Sequence, residues 1–521
     1  MSENQNIDAA RQYHSGTKHS YQSIRMHPNV LDWDNKPLLF KIYPTLEVTR
    51  LPRDFHESGK AALDAIATVS VPTQAEAIPD LETLAELLFF SAGVTRSKKH
   101  PEGETFFRAA ACTGALYEIE LYFACTGLRS KDQRADAPAA LPAGLYHFGA
   151  AEFGLRQLRS GDFRQVLVDA TAADPSMAHA PIIIICTGTY WRNAWKYHSR
   201  TYRHFGWDNG TILANLLAMS AAANLPAQIS TAFVDEQINT LLGLDTKREV
   251  AFTLVGLGHV SAAPPSAPEI SPLELPTVAY SAEEVDYPAM RKMHAASSLD
   301  SASEVTNWHG ETPTPAIPAA KGALTVLTPL DEARISKDTI EQVISRRGST
   351  RQFSRDAITV QQLSTMLELA TRGMPADFLD SIGSHLNELY LIVNNVIGLA
   401  PGAYFYRWKE KQLELLKPGD FRDKAGYLGL EQQIPADAAV DVFFLADLKK
   451  ILERYGNRGY RAVQLEAGIL GGKLYLGAYA LKLGCSGLTF YDDDVVSFFS
   501  PHGRGKSAIF LIALGRSTLR K

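Results

Sequence analysis

The chain contains one sequence pattern twice, and this repeat constrains its fold more than any other feature. The segment Lys196-Tyr-His-Ser-Arg-Thr-Tyr-Arg203 returns as Arg454-Tyr-Gly-Asn-Arg-Gly-Tyr-Arg461, 258 residues later. Three further matches keep the same spacing: Gly144-Leu-Tyr146 with Gly402-Ala-Tyr404, Gly161-Asp-Phe-Arg164 with Gly419-Asp-Phe-Arg422, and Gly210 with Gly468. Four matches in one register indicate two copies of one structural unit within the chain.

The repeat divides the 521 residues into four parts. We expect an N-terminal extension at 1–75, a first unit at 76–260, a linker or wrapping arm at 261–334 and a second unit at 335–521. The linker is rich in Pro, Ala, Ser and Glu, a composition typical of segments outside a packed core.

Both units show the same order of helix and strand patterns. The expected elements include helices at 81–92 and 360–371, long apolar helices at 207–224 and 464–483, and central strands at 181–187 and 440–446. This mixture predicts an α+β fold in which a mixed sheet is flanked by helices. The long helices carry small residues that let another helix approach closely, so the units are expected to form an intrachain pseudo-dimer.

The composition argues against nucleic-acid and membrane binding. Charged residues make up 21% of the chain, the net charge is -5, and no basic cluster occurs. No apolar run reaches the ~18–20 residues that span a membrane, and the polar N-terminus does not resemble a secretory signal. The four cysteines lack metal-ligand spacing, as expected of a cytoplasmic protein with reduced thiols and no metal site: Cys112, Cys125, Cys186 and Cys485.

The second unit contains candidate phosphate ligands. Arg347, Ser349 and Arg351 alternate just before a helix, so their side chains can face one direction. Two guanidinium groups and a hydroxyl suit a phosphate, although a solvated basic turn explains the segment equally well. Arg516 follows an apolar strand pattern and can bring a further cation to the same place.

The first unit contains candidates for ligand contact and proton transfer. The small residues around Thr113 and Gly114 would let a planar ligand approach the backbone, although a plain loop explains them more simply. Lys196-Tyr197 and its repeat Arg454-Tyr455 each place a phenol beside a cation. A neighbouring cation lowers the pKa of a phenol, so each tyrosine is predicted to take part in proton transfer.

The Arg-x-Tyr-Arg motif that follows each of these pairs is better explained by structure than by catalysis. Ion pairs at the start of an amphipathic helix would account for its cations. The motif comprises Arg200, Tyr202 and Arg203 in the first unit, and Arg458, Tyr460 and Arg461 in the second.

Together these segments resemble the nitroreductase family, and within it the SagB/ThcOx-type dehydrogenases with tandem units. The resemblance covers most of residues 12–521 and rests on four stretches in the family's order. They are Arg347-Gly-Ser-Thr-Arg351, Cys112-Thr-Gly-Ala-Leu-Tyr-Glu-Ile-Glu-Leu-Tyr122, Trp195-Lys-Tyr197 through Gly210, and Gly487-Leu-Thr-Phe-Tyr-Asp-Asp-Asp494 followed by Phe498-Phe-Ser-Pro-His502.

The resemblance implies an FMN site between the two units. The second unit would supply the phosphate ligands and the backbone near the isoalloxazine ring, and the first unit would supply a loop from across the interface. The implied cofactor-binding residues are Arg347, Ser349, Arg351, Arg516, Gly487, Leu488, Thr113, Gly114 and Leu116. The implied catalytic candidates are Lys196, Tyr197, Arg454 and Tyr455.

Only one of the two pseudo-symmetric sites is expected to be complete, which predicts one FMN per chain. No Arg-x-Ser-x-Arg motif precedes the first unit's helix at 81–92. The Lys196-Tyr197 pair nevertheless belongs to this first unit. Either the catalytic lysine is lost from the working site, or residues of the two units cross over into one site.

The resemblance implies hydride chemistry on a small-molecule or peptide substrate. The leading hypothesis is oxidation of a modified peptide or natural-product intermediate, such as azoline to azole, alongside other peptide-modifying enzymes. One alternative is an NAD(P)H-dependent nitro- or quinone-reductase. Another is a non-catalytic flavin- or peptide-binding subunit of a modifying complex.

Overall fold

In the computed structural model, each unit of the chain forms one seven-stranded sheet. The structure describes residues 3–26, 30–72, 76–101, 103–134, 137–313, 315, 317–331, 336–380 and 383–518. The strands before and within the first unit are β1 (Thr49–Arg50), β2 (Val94–His100), β3 (Gly103–Arg108), β4 (Ile119–Cys125), β5 (Gly144–Gly149), β6 (Gly154–Ser160), β7 (Ile182–Thr189), β8 (Ala227–Ser230) and β9 (Glu249–Leu257). The later strands are β10 (Leu324–Val326), β11 (Ile358–Thr359), β12 (Asn387–Val393), β13 (Val396–Ile397), β14 (Gly402–Arg407), β15 (Gln412–Pro418), β16 (Val440–Ala446), β17 (Gly484–Leu488) and β18 (Ser507–Gly515).

The helices fall into the same two sets. Up to the end of the first unit they are α1 (Asp8–Gly16), α2 (Tyr21–Met26), α3 (Ala62–Ala67), α4 (Leu81–Ala92), α5 (Arg164–Ala170), α6 (Pro175–Ala178), α7 (Tyr190–Tyr197), α8 (Thr201–Ala222) and α9 (Asp235–Leu242). The later helices are α10 (Pro288–Ala296), α11 (Ala302–Trp308), α12 (Ile340–Arg346), α13 (Val360–Thr371), α14 (Arg422–Leu428), α15 (Gln433–Asp437), α16 (Leu448–Tyr455), α17 (Gly459–Ala480) and α18 (Asp492–Phe499). Within the described ranges, no helix combines the length and apolar character needed to cross a bilayer.

The two sheets have the same topology, which confirms two copies of one α+β unit. Their strand orders are β1-β6-β5-β4-β7-β9-β8 and β10-β15-β14-β12-β16-β18-β17. The edge strands β1 and β10 come from the predicted extension and linker, so each of these segments completes a sheet. The pairings between the named strands of both sheets are antiparallel, and a parallel contact occurs at the β8 edge, where Ile229 pairs with Ala376. Strand direction depends on which neighbours pair, and periodicity does not reveal those neighbours.

The long helices α8 and α17 pack against each other and join the units. They cross where Gly210 meets Gly468, the pair that the repeat had placed in one register. A Cβ atom on Gly468 would lie 2.6 Å from the backbone oxygens of Gly206 and Trp207. The missing side chains therefore allow the backbones to touch, as predicted for an intrachain pseudo-dimer.

Both long helices begin several residues before the expected 207 and 464, because each starts with the Arg-x-Tyr-Arg motif. In each motif, two arginines donate to one buried aspartate of the opposite unit. Arg200 and Arg203 bind Asp492 at 3.0 and 2.7 Å, and Arg458 and Arg461 bind Asp235 at 2.5 and 2.7 Å. The interpretation of this motif as structural ion pairs is confirmed.

The helix crossing generates a prediction about stability. Gly468→Ala places a methyl group against backbone atoms that have no room to move, and overpacking of this kind costs about 1–3 kcal/mol. At Gly477 on the same helix, an added Cβ would have Met366 Cγ as its nearest neighbour, at 3.6 Å. Gly477→Ala should stabilise the chain by about 0.5–1 kcal/mol, because alanine favours a helix over glycine. Chemical denaturation measures both changes, and equal effects of the two variants would contradict the close crossing.

Candidate active site

A cavity of about 290 Å³ lies between the two units, beside the helix crossing. This volume is near the lower end of small-molecule sites, which begin at about 300 Å³. The first unit contributes Ala111, Cys112, Thr113, Gly114, Lys196, Tyr197, His204, Trp207, Asp208 and Thr211 to its lining. The second unit contributes Ser349, Arg351, Gln432, Tyr475, Gly487, Leu488, Thr489 and Phe510. The site is therefore composite, as the tandem arrangement predicts.

The end of α7 places Lys196 and Tyr197 at this cavity. The chain turns sharply after Tyr197, where His198 adopts a left-handed φ of 49°. The Tyr197 ring meets His204 edge-on with 4.7 Å between ring centroids, and His204 Nδ1 lies 2.7 Å from Asn193 Oδ1. This packing fixes the phenol next to Gly114, where a Cβ would lie 2.9 Å from the Tyr197 hydroxyl oxygen. Glycine at that position, with φ of 65°, leaves space for the phenol.

The predicted acidification of the phenol by its neighbouring cation is wrong in sign. Burial raises the pKa of Tyr197, and the nearby carboxyl of Asp208 raises it further. Burial lowers the pKa of Lys196, and the positive charges of Arg351 and Lys36 add to this effect. The pair therefore combines a phenol that keeps its proton with an amine that releases its proton more readily than a free lysine.

Three proton-binding groups cluster at the first-unit wall of the cavity. Asp208 accepts hydrogen bonds from the Thr113 backbone N–H at 2.8 Å and from the Thr113 hydroxyl at 2.9 Å. The Cys112 thiol lies 3.3 Å from Asp208 and 3.4 Å from Glu118. Burial raises the pKa of Asp208 well above its ordinary value, and the Glu118 carboxyl raises it further. This arrangement favours a proton held between the carboxyl groups.

The second unit supplies the opposite wall. The Tyr475 hydroxyl accepts the Gly487 backbone N–H at 2.6 Å and lies 3.1 Å from Ser349 Oγ, so one phenol ties the β17 strand to the Ser349 turn. Trp207 of the first unit stacks on Phe510 with 4.8 Å between ring centroids. These contacts give the cavity one flat aromatic side and one polar side.

Most, though not all, of the residues suggested by the sequence meet at this cavity. Its lining includes Thr113, Gly114, Lys196, Tyr197, Ser349, Arg351, Gly487 and Leu488. Leu116 is buried next to Gly114. Lys196-Tyr197 and the Ser349 turn thus line one cavity, so the residues of the two units cross over.

The remaining candidates lie elsewhere. Arg347 is buried and donates to the carbonyls of Ala109 and Arg108 at 2.9 and 2.8 Å, so it anchors the first unit's loop. Arg516 is exposed and donates to the Ala357 carbonyl at 2.9 Å. Arg454 and Tyr455 are not among the lining residues. The Tyr455 hydroxyl donates to the Phe378 carbonyl at 2.9 Å, and burial raises its pKa to about 12.

The pseudo-symmetric position in the first unit is closed by the chain itself. Residues 375–377 run parallel to β8, where Ile229 and Asp377 are linked through backbone hydrogen bonds. The Asp377 carboxylate accepts the backbone N–H groups of Thr231 and Ala232, both at 2.7 Å. It also accepts the hydroxyl of Thr231 at 2.9 Å. A carboxylate of the protein therefore fills this position.

The equivalent position in the second unit is open. Thr489 follows β17 as Thr231 follows β8, because Leu488 pairs with Leu511 as Ser230 pairs with Leu254. Thr489 lines the cavity, and its buried hydroxyl has no hydrogen-bond partner among the described residues. Thr489, Trp207 and Asp208 were not among the residues predicted from the sequence. The spacing of 258 residues could have found Thr489, since it maps Thr489 onto Thr231.

Comparison with known proteins agrees with the tandem architecture. The sequence model of the nitroreductase family matches residues 81–259 and 344–502. A Methanocaldococcus jannaschii protein named as a putative nitroreductase is 27% identical over 168 residues, which are 31% of this chain and 84% of that protein.

Solved structures show how far the fold is shared. A crystal structure from Anabaena variabilis, named in the same way, superposes with a TM-score of 0.75 and 24% identity over 98% of this chain and 99% of that one. The fold is thus shared over nearly the whole chain. The E. coli microcin synthetase McbBCD complex with truncated pro-MccB17 aligns over 49% of this chain and 93% of the other, at 14% identity and a TM-score of only 0.30.

The raised pKa of Asp208 generates a prediction about pH. Burial favours the neutral form of Asp208. The folded protein therefore has its full stability below the ordinary pKa of about 3.9, and its free energy of unfolding falls as the pH rises through the raised pKa. We expect the free energy of unfolding of the wild type to fall relative to Asp208→Asn over this range. The loss is about 1.4 kcal/mol for each unit by which the pKa is raised.

Urea denaturation at several pH values measures this difference. Asp169→Asn controls for the loss of one carboxyl, because Asp169 is exposed and its carboxyl accepts the neighbouring Gln165 amide at 2.8 Å. Parallel pH profiles of the wild type and Asp208→Asn would show that Asp208 is ionised in the folded protein.

Proposed function

Because the chain belongs to the nitroreductase family, we propose that it is an FMN-dependent oxidoreductase that dehydrogenates a modified peptide or natural-product intermediate. The conversion of an azoline to an azole is the type of reaction we infer. The observation that carries the proposal is the single cavity in which Lys196 and Tyr197 of one unit face Ser349 and Arg351 of the other.

The residues of the cavity fit a flavin. A planar ring suits the side formed by Trp207 and Phe510, and the unpartnered hydroxyl of Thr489 can bind a polar ring edge. The hydroxyl of Ser349 and the exposed guanidinium of Arg351 suit the phosphate. The bound flavin would supply two-electron chemistry by accepting a hydride.

The closed pseudo-symmetric position supports one FMN per chain. There the Asp377 carboxylate already occupies the N–H groups of Thr231 and Ala232. A second cofactor would have to displace this carboxylate and four hydrogen bonds, including the one from the Ser230 hydroxyl. The first unit also offers no counterpart of the Ser349 and Arg351 pair.

The proton of the dehydrogenation would go to Lys196. Loss of a hydride and a proton from a C–H and an adjacent C–H or N–H leaves the new double bond of the product. The lowered pKa of Lys196 makes its amine the better acceptor, and the raised pKa of Tyr197 keeps its phenol as a hydrogen-bond donor that orients the substrate. The raised pKa of Asp208 reduces the negative charge that its carboxyl would otherwise bring to the cavity.

Flavin binding provides the first test. We expect heat-released flavin to amount to about one FMN per chain. Arg351→Ala should weaken FMN binding by about 10–100-fold, the value of a hydrogen bond to a charged group. Arg516→Ala is the matched control, because that exposed arginine does not line the cavity. Equilibrium titration of the flavin-free protein with FMN measures the affinity of both variants.

The outcomes of this titration separate the hypotheses. Equal losses from Arg351→Ala and Arg516→Ala would show that Arg351 contributes no more to FMN binding than an arginine outside the cavity, which would contradict a phosphate site at Arg351. Two FMN per chain would mean that the Asp377 position opens. A chain that binds no FMN after reconstitution would contradict the oxidoreductase and leave the non-catalytic binding subunit.

Turnover provides the second test. Lys196→Met should lower the rate of azoline oxidation by about 10²–10⁴-fold, the usual effect of a lost proton-transfer group. Tyr197→Phe should lower it by only about 2–10-fold, the value of one lost hydrogen bond to the substrate. Tyr455→Phe should keep the rate, because that phenol is buried against the Phe378 carbonyl, away from the cavity. The assay follows the loss of two hydrogen atoms from a thiazoline-containing peptide by mass spectrometry, with flavin content as the check on folding. An unchanged rate in Lys196→Met would remove the amine from the mechanism.

The reductase alternative has support from the family itself, which is named for nitro-group reduction. NAD(P)H that bleaches the bound flavin faster than any azoline substrate would favour this alternative. The same cavity and the same composite residues would then serve a different electron donor.

A further inference from the structure

A second cavity, of about 540 Å³, lies away from the proposed flavin site. The N-terminal extension, the first turns of α4, the C-terminal end of α8 and Glu341 of α12 form its walls. Seven acidic side chains line it, against one lysine, Lys131. Within the described part of the chain, no salt bridge neutralises any of the seven. The cavity therefore has a strongly negative potential.

Helix capping explains some of these carboxylates but not all. Asp80 accepts the Thr83 backbone N–H at 2.7 Å as the N-cap of α4, and Glu82 lies in the first turn of that helix. Glu341 is different, because it is buried with only 4% of its surface exposed. Its Oε1 accepts the Ser58 backbone N–H at 3.2 Å, while its buried Oε2 has no hydrogen-bond partner among the described residues. A buried carboxylate oxygen in this state is destabilising and calls for a donor.

Glu86 faces the same cavity. Its Oε1 accepts the His56 backbone N–H at 2.9 Å. Burial raises the pKa of Glu86, and although that N–H bond opposes the change, the carboxylates of Glu341 and Asp80 raise it further. The last turn of α8 adds the negative end of a 22-residue helix. Carboxylates from three segments of the chain are thus held together, and among the described residues Lys131 is the one lysine or arginine that lines the cavity.

We propose that this cavity binds a linear polyamine, through ammonium groups that pair with Glu86 and Glu341. The carboxylates are spread along a wide cavity, and no three ligand atoms of this cavity lie within 4.8 Å of one another in the described ranges. That spread does not suit direct chelation of one metal ion, which needs converging ligands. Several ammonium groups on a flexible alkyl chain can reach separate carboxylates and carbonyl oxygens at once.

The bound polyamine would join the extension to both units. Ser58 and His56 belong to the extension, Glu86 to the first unit and Glu341 to the second. Binding would therefore stabilise the assembled chain by mass action. The site does not involve the flavin cavity, so its test is independent of the proposed function.

Isothermal titration of the full-length chain with spermidine, at fixed ionic strength, tests the proposal. We expect saturable binding that the double variant E86Q/E341Q weakens by about tenfold or more, since each substitution removes one charge pair. Glu453→Gln is the matched control, because that exposed residue pairs with Lys449 on α16 and should leave the affinity unchanged. If the double variant does not fold, Glu86→Gln alone should show a smaller loss in the same direction.

Three outcomes would overturn the proposal. Equal heats with magnesium chloride at the same ionic strength would show that the carboxylates only attract counterions. Binding of a trilysine peptide without binding of spermidine would assign the cavity to a basic protein segment in place of a polyamine. Unchanged spermidine affinity in Glu86→Gln and in E86Q/E341Q would place any binding elsewhere on the surface.

Discussion

The structure depends on two aspartates, each bound by a pair of arginines from the opposite unit. Asp492 at the start of α18 accepts from Arg200 and Arg203, and Asp235 at the start of α9 accepts from Arg458 and Arg461. Burial alone would raise the pKa of Asp235, but these guanidinium groups lower it to about 2. Removing one partner of such a buried pair costs about 3–5 kcal/mol, because it leaves an uncompensated charge in the interior. The units are therefore not independent domains, and the cavity between them exists only because α8 and α17 are held across each other.

A symmetric scaffold supports an asymmetric site in this chain. In a homodimer of identical subunits, both sites carry the same residues. Fusion of the two units removes that restriction, and the two positions after β8 and β17 have diverged. Asp377 fills one position, whereas the Thr489 hydroxyl in the other has no partner among the described residues. Tyr455 and Tyr197 show the same divergence, since one phenol is bonded to a carbonyl in the interior and the other faces the cavity.

The sequence repeat predicted much of the fold, because identical spacing requires identical structure. It placed Gly210 opposite Gly468, and periodicity gave α4 and α13 their observed bounds. The starts of α8 and α17 were missed because their first turns bury arginines whose partners lie in the other unit.

The site was predicted in part. The alternating spacing of Arg347, Ser349 and Arg351 predicted that all three would face one ligand. Ser349 and Arg351 do line the cavity, whereas Arg347 donates to the backbone of the first unit. Local spacing cannot reveal a partner 239 residues away.

The charges of the cavity indicate what kind of ligand it accepts. Burial shifts the pKa of Asp208 upward and that of Lys196 downward, so both shifts reduce the charge on the protein's inner wall. Arg351 remains exposed at the edge and brings a guanidinium group, which suits an anionic partner. A ligand with an uncharged planar part and an anionic end matches this distribution of charge. A substrate that enters from the Lys196 side would meet an amine whose pKa is lowered by burial and a phenol whose pKa is raised by burial.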